Sequence, residues 1–275
     1  MDTSPFAFIK TPESLQPFAD QMYALPIYLN EALGFDLLDC IYFLGSLAAI
    51  ACSLILKQIE GERNKKIFSM CTGMLIHFYV FGISALASVT QNLLTFAMMS
   101  LLPSRYQHIA VCGTSAVILA LAQLHKQIYN PGVNGQDVPM NLMFNFCKVT
   151  SLVCCVSDGV RIKKEGRDKV DLKTREKVYA NEDGIPNFFD FWAYMYFCGA
   201  CISGPWYEFK DFQMYMQAQD IYKNIPSTIA PTLNRFSNTV VFIVINAILS
   251  ANFKHEFFLT DVYRNMAILP KIVYT

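Results

Sequence analysis

The sequence predicts an all-α protein, a polytopic membrane helix bundle with about seven to eight transmembrane helices. Its 275 residues are 53% hydrophobic and only 16% charged, whereas charged residues make up ~25% of ordinary soluble domains. The apolar residues are gathered into blocks, and several blocks reach or approach the ~20 residues with which an α-helix crosses the ~30 Å hydrocarbon core of a bilayer. Composition and block length together therefore favour a membrane protein.

The segment before residue 37 differs from the rest of the chain. Residues 1–36 are mixed and acidic, contain several prolines, and carry Lys10 as their only basic residue. This composition fits neither a signal peptide nor an Arg-rich transit peptide. We expect an amphipathic surface segment here, with short helices lying on the membrane, followed by one transmembrane helical domain over 37–275.

Apolar blocks define the helices of this domain. Block 92–102 is short for a crossing, so it is either a short or tilted span or a re-entrant segment. Residues 158–187 form the one sizeable polar insert, with a short charged helix in its middle. The predicted helices are, in order, 37–56, 67–89, 92–102, 108–124, 142–157, 188–203, 236–251 and the beginning of another at 266–275.

The basic loops discriminate between the two alternatives for 92–102. Loop 57–66 carries four basic residues and the insert 158–187 carries eight. The positive-inside rule places both on one side of the membrane. That holds only if 92–102 crosses, in which case both loops share a face with Arg105. We therefore predict a crossing.

Charge and cysteine usage exclude several function classes. The formal net charge is zero, so no basic field attracts nucleic acid, and no nucleic-acid partner is predicted. The nine cysteines lie in apolar blocks and do not read as a disulfide framework. Cys198 and Cys201 share a helix face, which favours packing over a redox role. No residues show metal-ligand spacing, so neither a metal nor a cofactor is predicted.

The stretch FCGACISGPWYEFKDF stops an apolar run at Gly204-Pro205. Pro205 has no N–H and disfavours helix at the preceding residue, so the helix that begins at Phe188 should end near Ser203. Unpaired carbonyls at such a break are costly in lipid. The break therefore lies either at the headgroups, where its aromatic residues suit an interfacial belt, or inside protein, lining a cavity.

An apolar helix ends at Asp158-Gly159, a charged insert leads to Pro186-Asn187 and Asp190-Phe191, and an aromatic run closes with Gly204-Pro205. This order of features resembles the membrane-bound O-acyltransferase family, in its lysophospholipid acyltransferase branch. There an apolar helix ends in an acidic-Gly turn, and a polar loop leads to P-(S/N)-x-x-(D/E)-(F/Y) and to an aromatic helix that closes with Gly-Pro. The preceding helix often ends in a histidine followed by basic and aromatic residues. The matching positions here are Asp158-Gly159, Pro186-Asn187, Asp190-Phe191, Gly204-Pro205, His125, Lys126 and Tyr129.

The resemblance covers the amino-terminal half of the family's fold, and it implies a helix bundle around a chamber in which acyl-CoA and an acyl acceptor meet. From the resemblance and the break together, we expect a set of residues to line a path for lipid or substrate. These residues are Asp190, Gly204, Pro205, Trp206, Tyr207 and His125.

Related enzymes use an intramembrane histidine and an asparagine. A neutral imidazole is the usual base that takes a proton from a hydroxyl near neutral pH. By the resemblance, this pair lies on helices after the Gly-Pro break, and no residue here matches either member. We expect His77 to be packed against neighbouring helices, His108 and His125 to be interfacial, and His255 to be solvated in a loop. No catalytic residue is predicted.

Two functions remain. The first is a non-catalytic structural or accessory subunit that packs against other membrane proteins and holds membrane lipid. The second is an acyltransferase, or a fragment of one, that moves an acyl chain from acyl-CoA to a lysophospholipid; acyl-CoA is a partner only in that case. A channel or transporter is disfavoured, because no inverted repeat or charged ring is visible. The resemblance indicates the endoplasmic reticulum, and an accessory subunit also fits the mitochondrial inner membrane.

Overall fold

The computed structural model describes residues 16–33, 37–129, 138–167, 169–202, 204–252, 260–267 and 271. They fall into two compact units, one that ends at Tyr222 and one that begins at Lys223. The described residues are helices, turns and irregular segments without a strand, which confirms the predicted all-α class.

The first unit begins with two short helices, α1 (Gln16–Met22) and α2 (Ala24–Leu33). Tyr23, between them, is buried, and its hydroxyl donates a hydrogen bond to the carbonyl of Tyr79 over 2.8 Å. These helices lie in the predicted surface segment. Residues 1–15 and 34–36 of that segment lie outside the described residues, and its membrane contact stays a prediction.

Among the described residues, four helical segments are long and apolar enough to cross a membrane by length and composition. They are α3 (Leu37–Leu56), the 40-residue segment Glu62–Leu101, α6 (Ser104–Tyr129) and α7 (Val138–Glu165). Their lengths match or exceed the ~20 residues of a bilayer crossing. The chain is therefore an all-α membrane helix bundle, as the apolar blocks predicted.

The 40-residue segment is too long for one crossing, and a turn divides it. Helix α4 (Glu62–Phe81) and helix α5 (Ala85–Leu101) are separated by a 3-10 turn over Gly82–Ser84. Gly82 has φ 54° and ψ −141°, a conformation that residues with a Cβ rarely adopt. At 1.5 Å per residue, α5 is about 26 Å long. The predicted 92–102 block is thus the second half of a longer helix. The prediction of one helix over 67–89 is wrong, because the chain turns at Gly82–Ser84 within that range.

Shorter helices complete the first unit. They are α8 (Thr174–Tyr179) in the polar insert, α9 (Phe188–Met195), and α10 (Phe209–Met216). Two further 3-10 turns, Cys198–Ala200 and Asp220–Tyr222, follow α9 and α10 respectively.

Contacts to α9 give the directions of α4 and α5. Lys66 of α4 and Phe96 of α5 both contact the first turn of α9. His77 of α4 and Asn92 of α5 both contact Tyr196, just after α9 ends. From the start of α9 to its end, the residues of α4 that contact it therefore increase in number, and the residues of α5 that contact it decrease in number. The two helices run in opposite directions, and the chain reverses in the 3-10 turn.

This reversal brings the basic loops to one end of the bundle. Gln217 donates a hydrogen bond to Glu62 at the start of α4, and the Asn181 N–H of the polar insert bonds to the Cys155 carbonyl of α7. Arg175 of the insert pairs with Glu208. The loop before α4, the insert and the segment 208–217 thus lie together, as the charge pattern required.

Segment 188–203 was predicted as one helix ending near residue 203, and this is wrong. The helix ends at Met195, and irregular backbone follows. At its beginning, the segment contacts Lys66 of α4. Its Ile202 contacts Asn141 near the start of α7. Its Glu208 then contacts Ser151, farther along the same helix. It is therefore a re-entrant loop, defined here as residues 188–208. Buried Phe191, Tyr194 and Tyr196 give it a core of its own against α4, α5 and α7.

The second unit contains α11 (Ile229–Asn252) and α12 (Asp261–Arg264). Helix α11 includes the predicted helix 236–251. The helix predicted at 266–275 and the loop position of His255 lie largely outside the described residues.

Candidate functional site

The re-entrant loop carries irregular backbone into the bundle, and Lys148 of α7 satisfies part of it. Its ammonium group donates to the carbonyls of Met195 and Ala200, each over 3.2 Å. Lys148 is 3% exposed, and no carboxylate in the described part of the chain lies within 4 Å of it. The lysine acts as a donor to backbone that has left the helix and cannot bond to itself.

Two further side chains serve the tip of the loop. The Asn141 amide donates to the carbonyls of Cys201 and Ile202 over 3.1 and 3.0 Å. His77 Nδ1 lies 3.3 Å from the Cys201 carbonyl oxygen. The His77 ring packs 5.0 Å from Phe81 and is 1% exposed. The predicted packed role of His77 is confirmed.

Helix α4 packs so closely against the re-entrant loop that their backbones are in contact. The N–H of Cys198 donates to Ser69 Oγ over 3.1 Å. A Cβ at Gly73 would overlap the Tyr196 carbonyl oxygen, so only glycine allows this approach. Farther along, Asn181 passes over α7 in the same way, and a Cβ at Gly159 would overlap its carbonyl oxygen. Asp158 and Gly159 lie within α7, which continues to Glu165, so the predicted end of this helix at residue 157 is wrong. Gly159 instead marks a close crossing of two chain segments.

The Pro-Asn-x-x-Asp motif is the cap that begins α9. Asn187 Oδ1 accepts the N–H of Asp190 over 2.8 Å, and the Asn187 amide donates to the Asp190 carboxylate over 2.9 Å. The other Asp190 oxygen lies 2.6 Å from Lys66 Nζ, which also pairs with Glu62. The motif thus starts the re-entrant helix and fastens it to the first turn of α4.

After the Gly-Pro break, the chain runs back toward the end of the helix bundle at which the re-entrant loop begins. A Cβ on Gly204 would overlap Ala200, so the turn is folded back upon itself. Trp206 is 43% exposed, and the Arg175 guanidinium lies 5.8 Å from the centroid of its indole. Glu208 is 8% exposed and accepts a hydrogen bond from Ser151. The break therefore ends at a partly exposed aromatic beside a guanidinium group.

Tyr194 and Tyr207 join the inward and outward arms of the loop. The Tyr194 hydroxyl donates to the Tyr207 carbonyl over 3.0 Å, and the Tyr207 hydroxyl donates to the Tyr194 carbonyl over 2.8 Å. The Lys148 ammonium lies 5.1 Å from the Tyr207 ring centroid, within the range of a cation–π contact. The arms are thus held in one fixed arrangement.

Beside the outward arm is an open, mostly apolar pocket of about 230 Å³. Two residues of the predicted site, Pro205 and Tyr207, belong to it. The pocket is lined by Phe197, Pro205, Tyr207, Asp211, Phe212, Tyr215 and Tyr222.

The other predicted site residues lie elsewhere. Asp190 is in the ion cluster at the start of α4, and Gly204 and Trp206 are next to the pocket in sequence but do not line it. His125 is near the end of α6, with its ring centroid 4.6 Å from that of Tyr129. A path that includes all six residues stays a prediction.

Sequence reasoning missed Lys148 and Asn141. A lysine within an apolar block is a signal, since ionisable groups at membrane depth are costly and tend to have a role. No group of three or more His, Cys, Asp or Glu residues that could hold a metal ion occurs in the part of the chain that the structure describes.

These features define a polytopic membrane protein with a re-entrant loop supported by buried polar side chains. The chain belongs to the membrane-bound O-acyltransferase family, whose sequence profile matches residues 124–274, more than half of the chain. The match includes α7, the polar insert and the re-entrant loop, which confirms the resemblance seen in the sequence.

Curated relatives carry the name lysophospholipid acyltransferase. Lysophospholipid acyltransferase 5 of Homo sapiens is 24% identical over 205 residues, which are 72% of this chain and 39% of that protein. Lysophospholipid acyltransferase of Saccharomyces cerevisiae is 26% identical over 210 residues, 72% of this chain and 32% of that protein. Lysophospholipid acyltransferase 1 of Arabidopsis thaliana is 22% identical over 245 residues, 85% of this chain and 50% of that protein. The chain thus spans half or less of the length of each.

Proposed function

We propose that this chain is a non-catalytic structural or accessory subunit of a larger membrane protein complex, and that it binds lipid. The surroundings of the described histidines carry the proposal. His77 is buried and turned to the Cys201 carbonyl, His108 is exposed, and His125 packs on Tyr129. None of them lines the pocket. A general base must come within hydrogen-bond reach of the hydroxyl that it deprotonates, and no described histidine is placed for this.

The lipid-binding part of the proposal is supported by family membership and by the relatives' names. In this proposal the re-entrant loop is a fixed wall of a lipid chamber, and a second polypeptide supplies any acyl-transfer chemistry. Other membrane subunits are the expected partners, and acyl-CoA is a partner only if turnover occurs.

An acyl-transfer assay tests the proposal. The 275-residue chain would be placed in lipid nanodiscs with labelled acyl-CoA and a panel of lysophospholipids, beside the Homo sapiens relative treated identically. We expect turnover from the relative and none from this chain, with helical circular dichroism showing that it is folded. Turnover by this chain would overturn the non-catalytic role.

The second candidate function is acyl transfer from acyl-CoA to a lysophospholipid by this chain itself. The observation in its favour is that relatives from several kingdoms carry the acyltransferase name. If turnover occurs, His77→Ala and His125→Ala separate the candidate bases. His108→Ala is the matched control, because that side chain is exposed and outside the pocket.

The accessory role and the location have their own test. We propose residence in the endoplasmic reticulum or the mitochondrial inner membrane. Affinity purification of a tagged chain from each membrane fraction should recover a stoichiometric membrane partner. Recovery of the chain alone from its native membrane would contradict the accessory role and leave the family membership untouched.

A further inference from the structure

Two cysteines of the re-entrant loop lie on a 3-10 turn. The sequence pattern predicts one face of an α-helix for Cys198 and Cys201, but the structure has a 3-10 turn over Cys198–Ala200. The N–H of Ala200 donates to the Phe197 carbonyl over 2.9 Å, and Cys201, the next residue, keeps helical angles of φ −78° and ψ −21°. The two cysteines are therefore one 3-10 turn apart.

This geometry suits a disulfide between the two thiols. Side chains three residues apart eclipse one another in a 3-10 helix, and one turn rises by about 6 Å. That distance lies within the usual Cα–Cα separation of disulfide-bonded cysteines, about 4–7 Å. The Cys201 sulfur is turned toward the other cysteine, because its thiol donates to the Cys198 carbonyl over 3.4 Å. Both cysteines are free thiols in the structure, so the turn presents a reduced pair that can close.

The surroundings of the turn decide which oxidant can react there. The Lys148 ammonium donates to the carbonyl of Ala200, and its positive charge also acts on the Cys201 thiol. A nearby cation favours the thiolate, which is the nucleophilic form, whereas burial disfavours it. Cys201 is 4% exposed and Cys198 is 0% exposed, so a bulky disulfide such as that of glutathione does not reach the pair. A small neutral peroxide does.

We propose that Cys198 and Cys201 form a redox-active dithiol that hydrogen peroxide oxidises to a disulfide. The Cys201 thiolate attacks one peroxide oxygen and breaks the O–O bond, which leaves a sulfenic acid on Cys201 and releases hydroxide, and the thiol proton converts this hydroxide to water. The Cys198 sulfur then attacks the Cys201 sulfur and displaces a second hydroxide, which takes the Cys198 proton and leaves as water. The two thiols lose two electrons and two protons, and the peroxide takes up both. The site goes beyond the proposed function, because it needs no lipid, acyl-CoA or partner subunit.

The disulfide joins two residues of the re-entrant loop that different helices hold. Ser69 of α4 accepts the Cys198 N–H and donates to the Cys198 sulfur over 3.5 Å, whereas the Cys201 carbonyl is bonded to Asn141 of α7. Closing the pair adds a covalent ring around the bend and restricts the unfolded chain. The oxidised protein should therefore unfold at a higher temperature than the reduced protein.

Peptide mapping tests the proposal. The 275-residue chain in maltoside micelles is reduced with dithiothreitol, freed of the reductant, treated with hydrogen peroxide, alkylated and cleaved with chymotrypsin. Cleavage after Phe197 and Trp206 releases peptide 198–206, which contains no other cysteine. We expect this peptide to escape alkylation and to be lighter than the dithiol by two hydrogen atoms. Renewed reduction should restore alkylation at both sulfurs.

Two results of this mapping would overturn the proposal. The first is alkylation of both sulfurs of peptide 198–206 at a peroxide dose that oxidises Cys71, which is exposed. The second is a disulfide between Cys198 and Cys52 of α3. That cysteine is the competing partner, because the next residue, Ser53, has its Oγ 4.0 Å from the Cys198 sulfur.

Variants separate the roles of the two sulfurs. In Cys198→Ser, no thiol displaces the sulfenic acid on Cys201, so dimedone should label Cys201 after peroxide treatment. In Cys201→Ser, Cys198 should stay reduced, and dimedone labelling of Cys198 there would contradict the assigned order of attack. Cys154→Ser is the control, because Cys154 is exposed on α7, and this variant should form the wild-type disulfide. The mapping of the unaltered chain decides the proposal even if a loop variant fails to fold.

Thermal unfolding gives a second readout. Peroxide should raise the unfolding midpoint of the wild type and of Cys154→Ser by a few degrees, and it should leave Cys198→Ser and Cys201→Ser without this gain. An equal gain in all four proteins would show that the pair does not cause it. Acyl-transfer results leave these outcomes unaffected.

Discussion

The ammonium nitrogen of Lys148 lies 3.2 Å from the carbonyl oxygen of Ala200, inside the bundle and 3% exposed. A second carbonyl, that of Met195, is equally close, and the rings of Tyr194 and Tyr207 lie 5.9 and 5.1 Å away. Buried charge is costly unless it is well coordinated. Here one lysine donates hydrogen bonds to carbonyls on both sides of the non-helical bend. The carbonyls stabilise the buried charge, and the lysine stabilises the bend.

Replacing Lys148 with Met should lower the free energy of unfolding. The change removes a buried charge, but it leaves the carbonyls of Met195 and Ala200 without this hydrogen-bond donor. Each unsatisfied buried acceptor costs about 1–3 kcal/mol. We expect a net loss of a few kcal/mol, measured by thermal unfolding in detergent. Lys163→Met is the control, because Lys163 is exposed near the end of the same helix and should change stability by under about 0.5 kcal/mol. Equal stability of the two variants would contradict the role of Lys148.

Gly73→Ala should destabilise the protein where Gly113→Ala does not. Both glycines lie within helices, but a Cβ on Gly73 would overlap the Tyr196 carbonyl oxygen, whereas one on Gly113 meets nothing within 4 Å. We expect a loss of about 1–3 kcal/mol for Gly73→Ala from forced backbone movement, and a gain of up to about 1 kcal/mol for Gly113→Ala from helix propensity. Unfolding midpoints of both variants decide the matter, and the opposite order would be incompatible with the close approach.

The limits of the sequence reading are clearest at the re-entrant loop. An apolar run of this length satisfies the pattern of a spanning helix, and Pro205 was the visible break, so the helix was extended to residue 203. The partners that end it at Met195 are distant in sequence: Lys148 is 47 residues from Met195, and Asn141 is 60 from Cys201. No local pattern records such contacts.

Helix α5 shows the opposite error. Residues 85–89 of α5 fall in the predicted helix 67–89, which runs through the turn at Gly82–Ser84, and only residues 92–102 form a separate block. Ser88 and Gln91 are two polar residues of the first half of α5. Both are buried against other parts of the bundle, 1% and 0% exposed, so a polar inner face hides the true start at Ala85. By contrast, α3 coincides with its predicted range 37–56, because a uniformly apolar helix exposed to lipid depends little on distant partners.

The cap of α9 predicts that substitutions at Asn187 lower stability by different amounts, according to whether the new side chain can still accept the hydrogen bond. Asn187→Ala removes the side chain that accepts the Asp190 N–H, and loss of such a cap costs about 1 kcal/mol. Asn187→Ser retains a capping oxygen and should recover most of that loss. Hydrogen exchange of the α9 amides is the sharper measurement, since it reports the helix itself. Equal exchange in the Ala and Ser variants would show that the cap does not set its stability.

The re-entrant loop makes a topological prediction. If residues 188–208 enter and leave by the same end, then the polar insert and the segment after α10 are on one side of the membrane. Cysteines placed at Lys169 and Gln219, both exposed, should react with an impermeant maleimide from the same side. A cysteine at Ile83, in the turn between α4 and α5, should react from the other side.

A spanning helix over 188–203 would instead move position 219 to the side opposite position 169, so the two arrangements give opposite labelling patterns. The re-entrant pattern is expected because irregular backbone is tolerated at membrane depth only where protein surrounds it, and Lys148 and Asn141 supply donors to four carbonyls of this loop. A single helix would satisfy those carbonyls itself and leave the Lys148 ammonium without acceptors. Labelling of 169 and 219 from opposite sides would therefore contradict both the loop and the role assigned to Lys148.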